Sequence, residues 1–333
     1  MSFVQKFTDA IRSGIPGIIK KPLRLTRSAG EKLLAAPRWI DRDCVRPALR
    51  ILSFKVRFCS AYLANGCKSK TVLTFPHRPE PDAVLYKICH FLGYRITDNV
   101  ERKADLILNW EDCTFRRPYA ALEDLDRRQP VLNLRCRDIS KRKVEAVHQA
   151  VFGYGLEVNP RKFVGRCVKK SDDNATHDGR IIQCPVKDTD ERAVYQRVVN
   201  NSRDGQFVED IRVPVFGSTI PFCYRKVRPV GDRFSNQNSS ANVCEVSEVL
   251  SAGEVSLLVR FCHEMGLDYG EVDVLRDVDD GKVYIIDVNN TPFGPPNHLD
   301  KRSAASAIKR LSEGFTVLLE STTLKHSPNR NRA

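Results

Sequence analysis

Apolar and polar positions along the chain recur at helical spacing or alternate in short blocks, and the blocks predict a mixed α/β fold. Residues 71–135 read as strand Thr71–Phe75, a helix from about Glu80 to Leu92 stopped by Gly93, strand Asp105–Asn109 and strand Val131–Asn133. Strands alternating with helix favour a parallel sheet. A helix from Asp138-Ile-Ser-Lys141 to about Tyr154, ending at Gly155, precedes strand Phe163–Lys170. The polar, turn-rich stretch Ser171–Gly179 then leads into strand Arg180–Cys184 and reads as a hairpin tip able to close over a ligand. Gln206–Phe216 and Ser218–Arg228 form a second predicted hairpin about Gly217, which gathers Arg225, Lys226 and Arg228. Ser251-x-x-Glu254 is a capping box opening a helix with Val255, Leu258, Val259 and Cys262 on one stripe, ended by Gly266.

The sharpest alternation follows that helix. Within Gly266–Pro292, two alternating runs flank a turn at Asp279-Asp280-Gly281. Side chains alternate across a strand, so Glu271 and Asp273 share one face, as do Asp287 and Asn289. A three-residue loop with Gly281 left-handed sets Val278 opposite Lys282, Asp273 opposite Asp287 and Glu271 opposite Asn289. Val272, Val274, Ile286 and Val288 are then expected to face a core. Crowded carboxylates repel unless neutralised, and hard oxygen ligands suit Mg2+ holding phosphates. A lone Asp-x-Asn reads equally well as a solvated outer face; two such pairs in register favour the metal.

With 333 residues and 41% apolar content, the chain is long enough for two or three lobes around a large core. No apolar run approaches the ~20 residues that span a bilayer, and the N-terminus lacks the compact apolar core of a secretory signal, so a cytoplasmic protein is expected. Eleven cysteines are scattered from Cys44 to Cys262 without a Cys-x-x-Cys pair, which argues for reduced, mostly buried thiols and against zinc. Neither Gly-x-Gly-x-x-Gly after the first strand nor a P-loop is present. The net charge of +13 is concentrated: residues 1–68 hold 14 Lys and Arg against four acids. Phe3, Phe7 and Ile11, then Leu49, Leu52 and Val56, follow helical spacing between basic residues. This arm reads as a helical layer packed on the body or docking a partner, then as an anionic membrane surface binder, with nucleic acid last.

In their order, these pieces resemble the ATP-grasp superfamily, in the branch of glutathione synthetase, D-alanyl-alanine ligase and ribosomal-protein glutamate ligases, over about residues 70–320. The resemblance rests chiefly on Ile286-Asp-Val-Asn-Asn-Thr-Pro292. It implies Asp273, Asp287 and Asn289 as metal ligands, Lys141 and Lys169 as nucleotide lysines, and Phe207-Val208-Glu209 as the adenine-binding hinge. It further implies Asp210 on the ribose, Arg212 beside it, Lys226 and Arg228 balancing transferred phosphoryl charge, and Asn236 late in a loop. The family's loop after the second lysine is glycine-rich, whereas Ser171–Gly179 holds one glycine.

The implied organisation is a basic arm (1–68), a small α/β domain (69–136), an N-lobe with lid (137–206), a C-lobe with the metal hairpin (207–321) and a disordered tail (322–333). The implied activity is a ligase using ATP and Mg2+, or Mn2+ in its place, to activate a carboxylate as an acyl phosphate and join it to an amine, releasing ADP and phosphate. The Arg225–Arg228 cluster suggests an anionic substrate. Two other readings stay open: a degenerate nucleotide-binding module attached to a membrane or partner, and an ATP-grasp kinase.

Overall fold

A computed structural model describes residues 42–235 and 237–325. The chain divides into Met1–Leu49 and Arg50–Ala333, and helix α1, Arg42–Ala64, runs across that boundary. Most of the arm expected over residues 1–68, and Asn236, lie outside the described residues. From Arg50 onward α1 belongs to the second unit and packs within it. Phe54 is buried with its ring 5.5 Å from Tyr86, and Phe58 lies 5.9 Å from His90.

The small α/β layer follows. Strands β1 (Thr71–Pro76), β2 (Arg95–Thr97), β3 (Leu106–Trp110) and β4 (Val131–Leu132) form a four-stranded sheet in the order β2-β1-β3-β4. Every pairing in it is parallel, as the alternating pattern predicts. Helix α2 (Val84–Leu92) joins β1 to β2 and ends at Gly93, whose φ of 69° is the left-handed stop the sequence signalled. The short β2 and helix α3 (Ala120–Asp126) have no counterpart in the sequence reading.

Helix α4 (Lys141–Phe152) begins at Ser140, whose hydroxyl accepts the Lys143 amide, and stops at Gly153, which takes the left-handed turn at φ 80°. The end expected at Gly155 therefore comes one half-turn early. Strands β5 (Gly165–Ser171), β6 (Arg180–Cys184) and β7 (Ala193–Arg197) form a three-stranded antiparallel sheet, and the stretch read as a closing tip joins β5 to β6.

A five-stranded antiparallel sheet forms the body, in the order β10-β9-β8-β11-β12. Its strands are β8 (Phe207–Phe216), β9 (Cys223–Pro229), β10 (Ser240–Cys244), β11 (Tyr269–Arg276) and β12 (Val283–Asn289). Parity divides its two faces. Ile211, Val213, Val215, Val272, Val274 and Val288 enter a core closed by α4 and by α5 (Ala252–Met265), which opens with the expected capping box. Asp210, Arg212, Glu271 and Asp273 alternate with them and face the other way. A last helix, α6 (Lys301–Lys325), packs Leu311, Phe315 and Leu318 against Phe216 and Tyr269, and carries regular structure into the segment read as a disordered tail.

One residue fastens the parallel sheet to the body. Asn133 is fully buried at φ 56°. Its side-chain oxygen accepts the Asp268 and Tyr269 amides at 2.8 and 3.0 Å, and its amide donates to the Tyr269 carbonyl at 2.7 Å. The start of β11 is thereby held at the end of β4. Among the described residues, no helix is long and apolar enough to cross a membrane.

Candidate functional site

β11 and β12 pair so that Glu271 lies opposite Asn289 and Asp273 opposite Asp287, the register expected from the sequence. Beyond Asp273 the register shifts, and Val274 pairs with Ile285. The turn closes with the Asp277 amide on the Lys282 carbonyl at 2.9 Å, not with Val278 opposite Lys282. The shift exchanges two neighbours: Ile285 is in the core, and Ile286, expected there, lines a cleft on the acidic side. Gly270 is needed beside this face, since a Cβ there would sit 2.5 Å from the Asn289 carbonyl oxygen.

The acids face cations. Asp273 is held by the Arg212 guanidinium through two bonds of 2.9 Å and by the Lys226 ammonium at 3.0 Å. Although burial opposes ionisation, those two cations keep its carboxyl well below the usual range. Asp287 receives Lys141 at 2.7 Å, and Lys141 also donates to Asn174 of the β5–β6 loop at 3.0 Å. Glu271 is buried with Arg212 at 3.5 Å, and burial pushes its carboxyl up to about 7. Burial also lowers the Lys226 ammonium from its ordinary value.

The cleft between the two antiparallel sheets has a volume of about 680 Å³, within the range of small-molecule sites. Its lining includes Leu156, Val199, Leu275 and Ile286, which pack in one small apolar cluster with Tyr284, together with Val168 and the cations Lys141, Lys170, Arg212 and Lys226. The β5–β6 loop lies along it, with His177 exposed on the lining. Ala175 and His177 take φ of 58° and 50°. Left-handed positions that a glycine-rich loop would give to glycine are thus filled by residues with a Cβ.

Of the residues picked from sequence, Asp273, Asp287, Asn289, Lys141, Arg212, Lys226, Arg228 and Asp210 all line this cleft. Lys169 does not. On β5 it shares the face of the buried Cys167, away from the cleft, 3.2 Å from Asp190 and over the Tyr195 ring, while Val168 and Lys170 line the cleft. Burial, and Lys141 next, push the Lys170 ammonium down to about 8.

Phe207, Val208 and Glu209 are also away from the lining. The Glu209 amide and carbonyl are bonded to Asn201 at 3.0 and 2.9 Å, and the Phe207 carbonyl accepts Arg203. Those peptide groups are engaged within the fold and lie off the cleft; Gln196–Val199, at and just beyond the end of β7, border it, with the Arg197 amide bonded to the Leu156 carbonyl at 2.8 Å. Glu145 holds that wall: it accepts the Gln196 amide at 2.8 Å and the backbone amides of Leu156 and Glu157. Arg228 is committed to Asp210 at 2.6 Å and to the Arg233 and Ser235 carbonyls at 3.2 and 2.7 Å, so it fastens the loop over the cleft. Burial raises the Asp210 carboxyl, with Lys226 and then Arg228 opposing it.

The donor chemistry around Asp273 and Asp287 suits a hard cation. Both Glu271 oxygens and the Asn289 amide nitrogen are buried without a hydrogen-bond partner. Among the described residues, no group of three or more His, Cys, Asp and Glu side chains is arranged as a metal cluster. A divalent ion here would draw on two carboxylates and the Asn289 amide oxygen, with Glu271 beside them.

No family model matches the chain, and no curated protein does. Among solved structures, the ATP-grasp ligase PsnB complexed with precursor peptide PsnA2 and AMPPNP is 14% identical, with a TM-score of 0.49, covering 76% of this chain and 99% of that one. D-alanine–D-alanine ligase from Bacillus anthracis complexed with ATP is 13% identical, with a TM-score of 0.48, covering 79% and 100%. Likeness this distant decides neither activity nor substrate.

Proposed function

We propose that this chain is an ATP- and Mg2+-dependent ligase of the ATP-grasp kind, which activates a carboxylate as an acyl phosphate and passes it to an amine or similar nucleophile. The observation that carries the reading is the cleft itself. Its apolar cluster of Leu156, Val199, Leu275 and Ile286 suits a flat base, and the same cleft is lined by the Asp273–Asp287 pair and by Lys141, Lys170, Lys226 and Arg212.

In this reading the adenine lies between Leu156, Val168, Val199, Leu275 and Ile286, with peptide groups of Val198 and Val199 along its edge. Lys141 and Lys170 hold the phosphates as point charges. Asp273, Asp287 and Asn289 would hold Mg2+, which neutralises phosphate charge and aligns the γ-phosphoryl group for attack. Lys226 and Arg212 are fixed by Asp273, so they present positive charge without reorganising as negative charge moves onto the transferred group. Arg228 positions the overlying loop and Asp210. The β5–β6 loop, bonded to Lys141 through Asn174, excludes water.

Thermal unfolding with ATP, with and without Mg2+, tests the site in wild type and Asp287→Ala. Ligand at one hundred times its dissociation constant stabilises by about 2.7 kcal/mol. The expected result is Mg2+-dependent stabilisation lost in the variant, followed by ADP release once an anionic carboxylate substrate is supplied. No stabilisation of folded wild type at millimolar ATP overturns the reading. Stabilisation with no ADP release across a substrate panel moves it to a nucleotide-binding module.

A further inference from the structure

A second cavity, of about 560 Å³, lies between α1, α2 and β2 and shares no lining residue with the cleft. Its walls are aromatic and apolar, with Phe58, Tyr86, His90, Tyr94 and Ile96. The Tyr86 and His90 rings stack at 4.0 Å, and the His90 Nδ1 lies 2.9 Å from the Tyr86 carbonyl. Its rim carries Lys55, Arg78, Arg95 and Arg102, all exposed. Arg78 is held at the mouth by its bond to the Ile96 carbonyl at 2.7 Å.

No Asp or Glu lines this cavity, and among the described residues none of the four cations forms an ion pair. Elsewhere on the chain, Arg197, Arg276 and Arg310 are each paired with a carboxylate at 2.7 to 2.9 Å. Four like charges around one mouth repel, and an anion relieves the repulsion. An apolar, concave floor with a few polar groups at its edge is the make-up of a small-molecule site.

We propose that this cavity is a second anion site, which takes a phosphate ester carried on a flat or apolar body. The phosphate sits at the arginine rim, where guanidinium forks match its oxygens, and the body lies against Phe58, Tyr86 and Tyr94. A soluble aryl phosphate and a phospholipid headgroup share that chemistry. The site is independent of the ligase reading, because none of its residues reaches the cleft.

The test titrates the full chain with phenyl phosphate, with inorganic phosphate, and with phosphatidylcholine vesicles containing or lacking phosphatidic acid. Wild type is compared with Arg78→Ala/Arg102→Ala, with the charge-keeping Arg78→Lys/Arg102→Lys, and with Lys170→Met as a cleft control. Phenyl phosphate is expected to bind about tenfold tighter than inorganic phosphate, and the double alanine variant to lose about tenfold or more. The lysine pair recovers part of that loss, and Lys170→Met leaves binding intact. Loss of the vesicle signal in the same alanine variant assigns the headgroup as the source; loss of phenyl phosphate alone assigns a soluble ligand. The proposal is overturned if wild type binds neither probe, if the alanine variant binds both as wild type does, or if Lys170→Met abolishes binding.

Discussion

Lys169 and Lys170 are neighbours in sequence on opposite faces of β5, and they separate two accounts of the proposed nucleotide site. Lys170→Met keeps most of the aliphatic stem and removes the ammonium from the cleft. A charged hydrogen bond to a phosphate in such a setting is worth about 2–3 kcal/mol, so the dissociation constant for ATP should rise roughly 30- to 150-fold. Lys169→Met removes the partly exposed pair with Asp190 at 3.2 Å, worth about 0–1 kcal/mol of stability, and the contact with the Tyr195 ring, and should leave ATP affinity within about twofold.

The two variants also differ with pH. Lys170 is pushed down to about 8 in the free protein. Phosphate binding requires the protonated ammonium, so affinity holds below pH 8 and falls as pH rises above it, by up to about tenfold per unit. Calorimetric titration of ATP with Mg2+ at pH 7, 8 and 9 reads both effects. A larger loss in Lys169→Met than in Lys170→Met refutes the assignment, as does a wild-type fall above pH 8 that survives unchanged in Lys170→Met.

Three further expectations concern stability and the loop. The folded-state Glu271 carboxyl lies above its ordinary value, moving from 4.5 to about 7 because it is buried; its contribution is therefore fully present below pH 4.5 and lost as pH rises through 7. Glu271→Gln should flatten that slope in urea unfolding, gaining up to about 3 kcal/mol at pH 7 at about 1.4 kcal/mol per unit; an unchanged slope contradicts the burial argument. Asn133→Ala leaves the Asp268 and Tyr269 amides without their acceptor, and chemical denaturation should show a loss of about 2–4 kcal/mol. Ala175→Gly removes a Cβ from a left-handed position and should stabilise the loop by about 1 kcal/mol, seen as slower amide exchange across 171–179; faster exchange would show that the loop's order does not depend on that strain.

How far the sequence reached follows from the kind of signal each element carries. Period and punctuation were enough for the parallel layer, for the Gly93 stop, for the Ser251 capping box and for the pairing of Asp273 with Asp287. Orientation was harder. Which face of β5 turns to the cleft is set by its packing partners: Cys167 and Tyr195 belong to a small core on one side, and this puts Lys169 on that side and Lys170 into the cleft. Nothing within Gly165–Ser171 encodes that choice. Phe207–Glu209 lie off the cleft for a similar reason. Phe207–Glu209 looks like a strand entering a site, yet Asn201 and Arg203 already engage its peptide groups. The clamp at Asn133 gave no sequence sign, because its partners are more than a hundred residues away.

The register shift in the β11–β12 hairpin explains how one strand gives the cleft both apolar surface and acid. In a regular strand consecutive side chains point to opposite faces, so an apolar residue and an acid that both line one cleft could not be neighbours. Ile286 and Asp287 are neighbours, and both line the cleft. An extra residue on one strand re-aims a side chain in this way, at the cost of local pairing. Ile285 fills the core position that strict alternation would give to Ile286, and Val288 returns to the core beyond Asp287. The doubled isoleucine is what allows the Ile-Asp-Val-Asn phrase to present apolar surface, carboxylate and amide to one cavity while the sheet behind it remains closed.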